Sequence, residues 1–264
     1  MKRVTLCADD YALDASVTRG ILALLERERL SATSVMVLSP RWARDAAPLR
    51  EQRGRASIGL HLDWTSAFAR QHGHGRSLAG VMATSSLRLL ERTKVREVIE
   101  RQLDLFEACW QDAPDHVDGH QHVQQFPVIR EAVVDIVARR YPRCPPWLRV
   151  SRDFAQPTFK SRLITALGAD ALERSAGACG IPCAPSLGGI YGFDGDVSGY
   201  AARMREWLAS APAGAVIMCH PAAGDRDPGE REDGIAHARC SEYAHLASAA
   251  FLQSLQAAGV TLAR

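Results

Sequence analysis

Strand-sized apolar runs alternate with amphipathic stretches along the whole chain, and several of these runs end on an aspartate or a histidine. Val4–Ala8 reads as a strand, and Ser16–Arg29 as a helix with Val17, Ile21, Leu24 and Leu25 on one face. Thr33–Leu38 and Ser57–Leu62 read as further strands. Thr93–Trp110 is a long helix with Val95, Val98, Ile99, Leu103 and Phe106 in phase. His116–Val123 reads as a strand, Val128–Arg139 as a helix, and Leu148–Ser151 as a strand after Pro145-Pro146. Ala215–Cys219 is a late strand, and Phe251–Ala258 closes the last helix before Val260-Thr261-Leu262. Strand–helix alternation predicts an α/β fold on a parallel sheet, open or closed into a barrel. No repeat, long linker or low-complexity tract interrupts it, so one domain over residues 1–264 is expected.

The apolar fraction, 47% of 264 residues, is enough for a substantial core. Lys plus Arg number 32 and Asp plus Glu 30, a net charge of +2 with no nucleic-acid or membrane footprint. The longest clean apolar stretches, such as Ala215–Cys219, are far below a membrane span. Met1-Lys2-Arg3 runs through Val4–Cys7 straight to Asp9 and Asp10, which leaves no room for a secretory apolar segment, and a cytoplasmic setting is expected. The seven scattered cysteines form no CxxC; Cys179 and Cys183, four apart, lack a matching second pair, so the cysteines read as small buried hydrophobes.

In parallel sheets and barrels, chemistry gathers at the carboxyl ends of strands. Asp9 and Asp10 follow the first strand, His61 ends the third, His120 lies in the fourth, and His220 follows the late one. Adjacent strand-end carboxylates point different ways, so one can ligate a metal while the other accepts a proton. In a strand, His116, Asp118, His120 and His122 share one face, a pattern of metal site with supporting groups. Pro221 stops the late strand and leaves His220 placed to protonate a leaving amine. His72 and His74 sit in a glycine-rich stretch and read as solvated residues. An Asp-His-His set leaves open positions on a divalent ion for water and a substrate oxygen; with a free Asp as base and a His as acid, the sum is a metal-assisted amide hydrolase.

Four motifs in register, Ala8-Asp9-Asp10-Tyr11, Gly59-Leu60-His61, His116-Val117-Asp118-Gly119-His120-Gln121-His122 and Met218-Cys219-His220-Pro221, resemble those of the YdjC-like (ChbG-type) carbohydrate deacetylases. The resemblance implies a (β/α)-barrel-like fold, a TIM-barrel variant, with Asp10, His61 and His120 as ligands of one divalent metal ion. It further implies Asp9 as general base and His220 as general acid. The implied substrates are N-acetylated sugars, including chitin-derived oligosaccharides, and the implied ion is Zn²⁺ or Mg²⁺. Two imidazoles and one carboxylate favour zinc or another transition ion. A homodimer stays open. Tyr11-Ala12 stands where the family usually has Phe-Gly, and Gly119 where Ser is common; neither departure removes a ligand. Ala67–Ser86 and Pro182–Gly199 read as long loops that shape sugar specificity, with Trp64, Tyr191 and Phe193 as stacking candidates.

Rival readings are a metal-dependent phosphoester hydrolase and a sugar-binding pseudoenzyme. The chain has no GxxxxGK[ST] loop to cradle phosphate, and a sensor would need the ligands but not Asp9. A Ser-His-Asp hydrolase would need a GxSxG elbow, which is absent.

Overall fold

The computed structural model of the protein describes residues 1–155, 159–184, 186–225, 227 and 233–263, with the backbone alone of residue 160. Pro185, within the Pro182–Gly199 segment, and Arg264, the last residue of the expected domain, lie outside the described residues.

The first half runs β1 (Lys2–Tyr11), α1 (Ala15–Glu26), β2 (Ala32–Val35), α2 (Trp42–Arg50), β3 (Ser57–Leu62), α3 (Ala67–Gln71), α4 (Leu78–Ser86), α5 (Arg92–Trp110) and β4 (His116–Gly119). After a 3-10 turn, the second half runs α6 (Ile129–Arg140), β5 (Trp147–Arg149), α7 (Phe159–Ala166), α8 (Ala169–Ala178), β6 (Cys183–Ala184) and β7 (Leu187–Gly188). It ends with α9 (Val197–Ser210), β8 (Val216–Cys219), α10 (Ala236–Leu246), α11 (Ala249–Ala257) and β9 (Val260–Leu262).

The strands order as β6-β5-β4-β3-β2-β1-β8-β7, all parallel, with β9 added to the start of β1. The sheet curls into a nearly closed barrel. Its far edges meet just past β5, where Leu187 donates to the Arg152 carbonyl at 2.7 Å and accepts from the Phe154 N–H at 3.2 Å. A sheet covered on both faces must be apolar on both, and β2, β3, β4 and β8 are buried at every position. A large apolar cluster fills the space between sheet and helices, from Leu6 and Ile58 to Phe106 and Phe251. A smaller one, with Cys7, Ala32, Leu187, Val216 and Met218, lies on the other face of the strands, inside the barrel. No helix among the described residues is long and apolar enough to cross a membrane.

The expected strand over His116–Val123 is corrected: only His116–Gly119 is extended, and His120–Gln125 winds into the 3-10 turn, with Gln121 and His122 at φ 56° and 62°. The turn's own glutamines explain this. Gln124 donates to the Arg149 carbonyl at 3.0 Å, and Gln125 donates to the Ile164 carbonyl at 2.6 Å while accepting from the Ser151 N–H at 3.1 Å. These bonds draw the chain across the barrel mouth, so the two-residue period stops at Gly119 and the four polar residues do not share one face.

The two supposed loops are also corrected. Residues 67–86 hold α3 and α4, started by Ser66, which accepts from the N–H groups of Phe68 and Ala69, and by Ser77, which accepts from that of Gly80. Residues 182–199 hold β6, β7 and the first turn of α9, which Asp196 caps through the Gly199 N–H.

Candidate active site

β1 carries the two aspartates, and a bulge makes both useful. Its register with β2 shifts between Ala8 and Tyr11, three steps on β1 against two on β2, from Ala8↔Thr33 to Tyr11↔Val35. Asp10 takes up the extra step at φ 70°. Without the bulge, Asp9 and Asp10 would face opposite sides of the sheet. With it, both line one cavity of about 480 Å³, together with His61, His120, Phe193 and His220. Left-handed backbone at a non-glycine residue is strain, here stored where the chemistry would lie.

Ala12 repeats the strain at φ 70° and is fully buried. Ala12→Gly is expected to raise stability by about 1 kcal/mol, because glycine escapes the Cβ penalty of this conformation. Thermal unfolding checks it; an unchanged or lower Tm would mean that packing of the alanine methyl outweighs the strain.

Asp10, His61 and His120 each offer one ligand atom, all within 4.8 Å of one another, so the set could hold a metal ion. Asp10 Oδ1 lies 3.4 Å from His61 Nε2 and 3.1 Å from His120 Nδ1. Its other oxygen accepts from Arg239 Nη2 at 2.7 Å, which leaves Oδ1 for the ion. His61 is oriented from behind: Nδ1 meets Asp118 Oδ1 at 2.6 Å, so Nε2 faces the cavity. Burial works against charging His61, but Asp118, then Asp9 and Asp10, raise it to about 9. Burial opposes ionisation of Asp10 too, yet Arg239 and His120 hold its carboxyl well below the usual range.

Asp9 is held differently. Arg149 grips both its oxygens, Nη1 to Oδ2 at 2.7 Å and Nη2 to Oδ1 at 2.8 Å, and Ser34 donates to Oδ1 at 3.3 Å. Burial pushes this carboxyl up, but the Arg149 guanidinium outweighs it, and Asp9 stays ionised well below the usual carboxylate range. Arg149 also ion-pairs with Asp118 at 2.5 Å. The guanidinium already occupies Asp9 and Asp118, so the nearby donor groupings Asp9–His61–Asp118 and Cys7–His116–Asp118 suit an ion less well than Asp10–His61–His120.

Arg149 is itself fully buried. Arg149→Met takes the arginine from two buried carboxylates, leaving Asp9 without its guanidinium and Asp118 with His61, and is expected to cost about 3–5 kcal/mol in urea unfolding near neutral pH. Asp9 and Asp118 both titrate lower folded than unfolded. The stability they contribute is therefore present above the ordinary carboxylate range and lost as pH falls through their lowered values. The gap between wild type and variant should narrow in acid; a gap independent of pH would contradict the charge argument.

His220 Nε2 lies 4.0 Å from Asp9 Oδ2, at the same end of the cavity, and the edge of Phe193 packs against its ring at 5.1 Å between centroids. His122 also lines the cavity, bonded through Nδ1 to Ser151 Oγ at 3.0 Å, and burial, with Arg149, pushes it down to about 3. His116 lies deeper in the barrel, between Ser57 Oγ at 3.0 Å and the Trp147 ring stacked at 4.3 Å; burial pushes it down to about 4. Gly59 is what admits that ring, since a Cβ there would come within 2.3 Å of the imidazole. Asp63 caps its own loop through the Thr65 and Ser66 N–H groups.

Of the stacking candidates, Tyr191 and Phe193 reach the cavity, but Trp64 does not. Trp64 is buried in the core, its ring edge-on to His74 at 6.0 Å. His72 and His74 are half-buried and bonded to the carbonyls of Leu38 and Asp63, so they are not the solvated residues expected. Ser34, Arg149, Arg239 and Glu242 were not singled out from sequence. A signal existed for Arg149: Leu148 and Val150 face one way in a strand, so Arg149 must face the other.

With fold and geometry in place, known proteins give the frame. The chain is 28% identical over 137 residues to the chitooligosaccharide deacetylase of Serratia marcescens, covering 48% of this chain and 53% of that protein. It is 26% identical over 144 residues to the chitooligosaccharide deacetylase of Enterobacter sp. (strain 638), covering 53% and 57%. The aligned part thus spans about half the length of these curated relatives. Over the full chain, the fold is similar to a crystal structure from Enterococcus faecalis V583, provisionally named for cellobiose-phosphate cleavage. The TM-score is 0.76 at 18% identity, covering 100% of this chain and 97% of that one. The sequence pattern of one family runs through β1, β3, β4 and β8 alike, matching residues 3–257, and the chain belongs to the YdjC-like protein family.

Proposed function

We propose that the protein is a metal-dependent carbohydrate N-deacetylase that hydrolyses the acetamide of an N-acetylated sugar or chitin-derived oligosaccharide and releases acetate. The observation that carries this reading is the division of labour between two adjacent carboxylates: Asp10 faces His61 and His120, while Asp9 faces Arg149 and His220. The names of the curated relatives support the substrate class.

Asp10, His61 and His120 would hold the ion. The donor set fits, with two imidazoles, one carboxylate oxygen and a carboxylate behind His61, and it favours zinc over magnesium. Bound there, the ion supplies Lewis acidity to the acetamide carbonyl and makes water a better nucleophile near neutrality. Asp9 takes the proton from the attacking water, and Arg149, bonded to both carboxylate oxygens, holds it in place and ionised. His220 gives a proton to the departing nitrogen, because an amide anion is too basic to leave unprotonated. Phe193 and Tyr191 form the apolar wall against which the sugar rests.

An acetate-release screen tests the reading. N-acetylglucosamine, chitobiose and longer chitooligosaccharides are offered with added Zn²⁺, Mg²⁺, Mn²⁺ or Co²⁺, beside sugar phosphates assayed for phosphate. Acetate with an equal yield of free amine is the expected result. Phosphate release without acetate would replace the reading with a phosphoester hydrolase.

A further inference from the structure

Glu242 lies on α10, is fully buried, and sits behind His220 on the side away from the cavity. Its Oε2 accepts the His220 backbone N–H at 2.5 Å, and its Oε1 accepts the Tyr191 hydroxyl at 2.6 Å. Oε1 also stands 3.9 Å from His220 Nδ1, an atom that is buried and has no hydrogen-bond partner. Among the described residues, the one ion-pairing partner within 4.0 Å of Glu242 is His220. Arg239, one turn earlier on α10, is committed to Asp10 and Asp233. A buried carboxylate without a cationic partner is costly, so one retained here needs a reason.

We propose that Glu242 is the positioning residue for His220, acting with Tyr191 to keep the hydrogen on Nδ1 and turn Nε2 towards the reacting amide; this rests on the reading of His220 as proton donor. A carboxylate facing Nδ1 favours the tautomer with its hydrogen there. Nε2 is then the nitrogen presented to the cavity, 4.0 Å from Asp9 Oδ2. When His220 carries a second proton before donating it, Glu242 offsets the added charge. Two anchors, one to the His220 backbone and one to the Tyr191 ring, hold the carboxylate in place while the imidazole moves the remaining distance. Hydrogen bonds of this kind are often long before substrate binds.

The test compares Glu242→Gln, which keeps the shape and removes the charge, its oxygen accepting the His220 N–H and its NH2 donating to the Tyr191 hydroxyl, with Tyr191→Phe and His220→Ala. Each is assayed on an N-acetyl sugar and on an aryl acetate ester, whose leaving group needs no proton. Glu242→Gln is expected to lower kcat on the amide by about 10²-fold, with KM within about twofold and metal content unchanged. On the ester the loss should shrink to about threefold or less, as it should for His220→Ala. An equal loss on both substrates, or no loss on the amide, overturns the proposal. If His220→Ala itself keeps full amide activity, the proton-donor reading fails first. A second readout needs no turnover: nitrogen-15 NMR of the histidine side chains should place the hydrogen on Nδ1 of His220 in the wild type and move population to Nε2 in Glu242→Ala. An unchanged tautomer overturns the positioning role even if no substrate is found.

Discussion

Asp10→Ala, His61→Ala and His120→Ala are each expected to lose bound metal and acetate release together. Two donors come from the ends of β1 and β3 and the third from the turn that follows β4, and among the described residues no other such donor set lies wholly in the cavity. Asp10 is the most sensitive, because it meets both histidines through one oxygen. The losses should exceed those from outer groups. Asp118→Asn, which weakens the support behind His61 Nδ1, should cost about 10–100-fold in metal affinity or activity. Metal analysis of the purified proteins, read beside kcat/KM, checks the ranking. Full metal content in all three ligand variants would remove the assignment.

Asp9→Asn is expected to behave in the opposite way. It should keep the ion and bind substrate while kcat falls by about 10²–10⁴-fold, the scale of losing a general base. The amide oxygen of asparagine can still accept one of the two Arg149 N–H groups, so size and one bond survive and basicity does not. Arg149 also makes Asp9 a weak base by keeping it ionised well below the usual carboxylate range. The arrangement therefore trades driving force for a carboxylate that is always charged and always aimed. The acid limb of the kcat/KM profile should accordingly not reflect an ordinary aspartate titration. Loss of metal from Asp9→Asn would mean that the two aspartates have been assigned the wrong way round.

Much of this site was legible in the sequence because parallel strands deliver their last residues to one end of the sheet. Asp9, His61 and His220 are found at the carboxyl ends of their strands, whereas Asp10 reaches the same cavity only through the β1 bulge, which no period records, and β3 has the bounds Ser57–Leu62 read from sequence. The pattern misled where side chains bond back to the main chain. Gln124 and Gln125 end β4 early and send His120 and His122 into a turn, a tertiary effect that no local period records. Ser66 and Ser77 start helices where glycines suggested a loop; there the capping signal was present and outranked by Gly73, Gly75 and Gly80. The buried charges were the least visible. Arg239 and Glu242, three apart on α10, serve two different cavity residues, and a charged pair at that spacing reads from sequence as solvated helix surface.

Stepwise return of Zn²⁺ to metal-stripped protein, with acetate and free amine measured on an acetamido sugar at each step, tests the central claim most directly. The account predicts a rate that is negligible under chelation, rises in proportion to added ion, and levels off at a single equivalent per chain, with acetate and amine formed in equal amounts. Full acetate release under chelation, or one tightly bound ion with no acetate from any acetamido sugar, would contradict it.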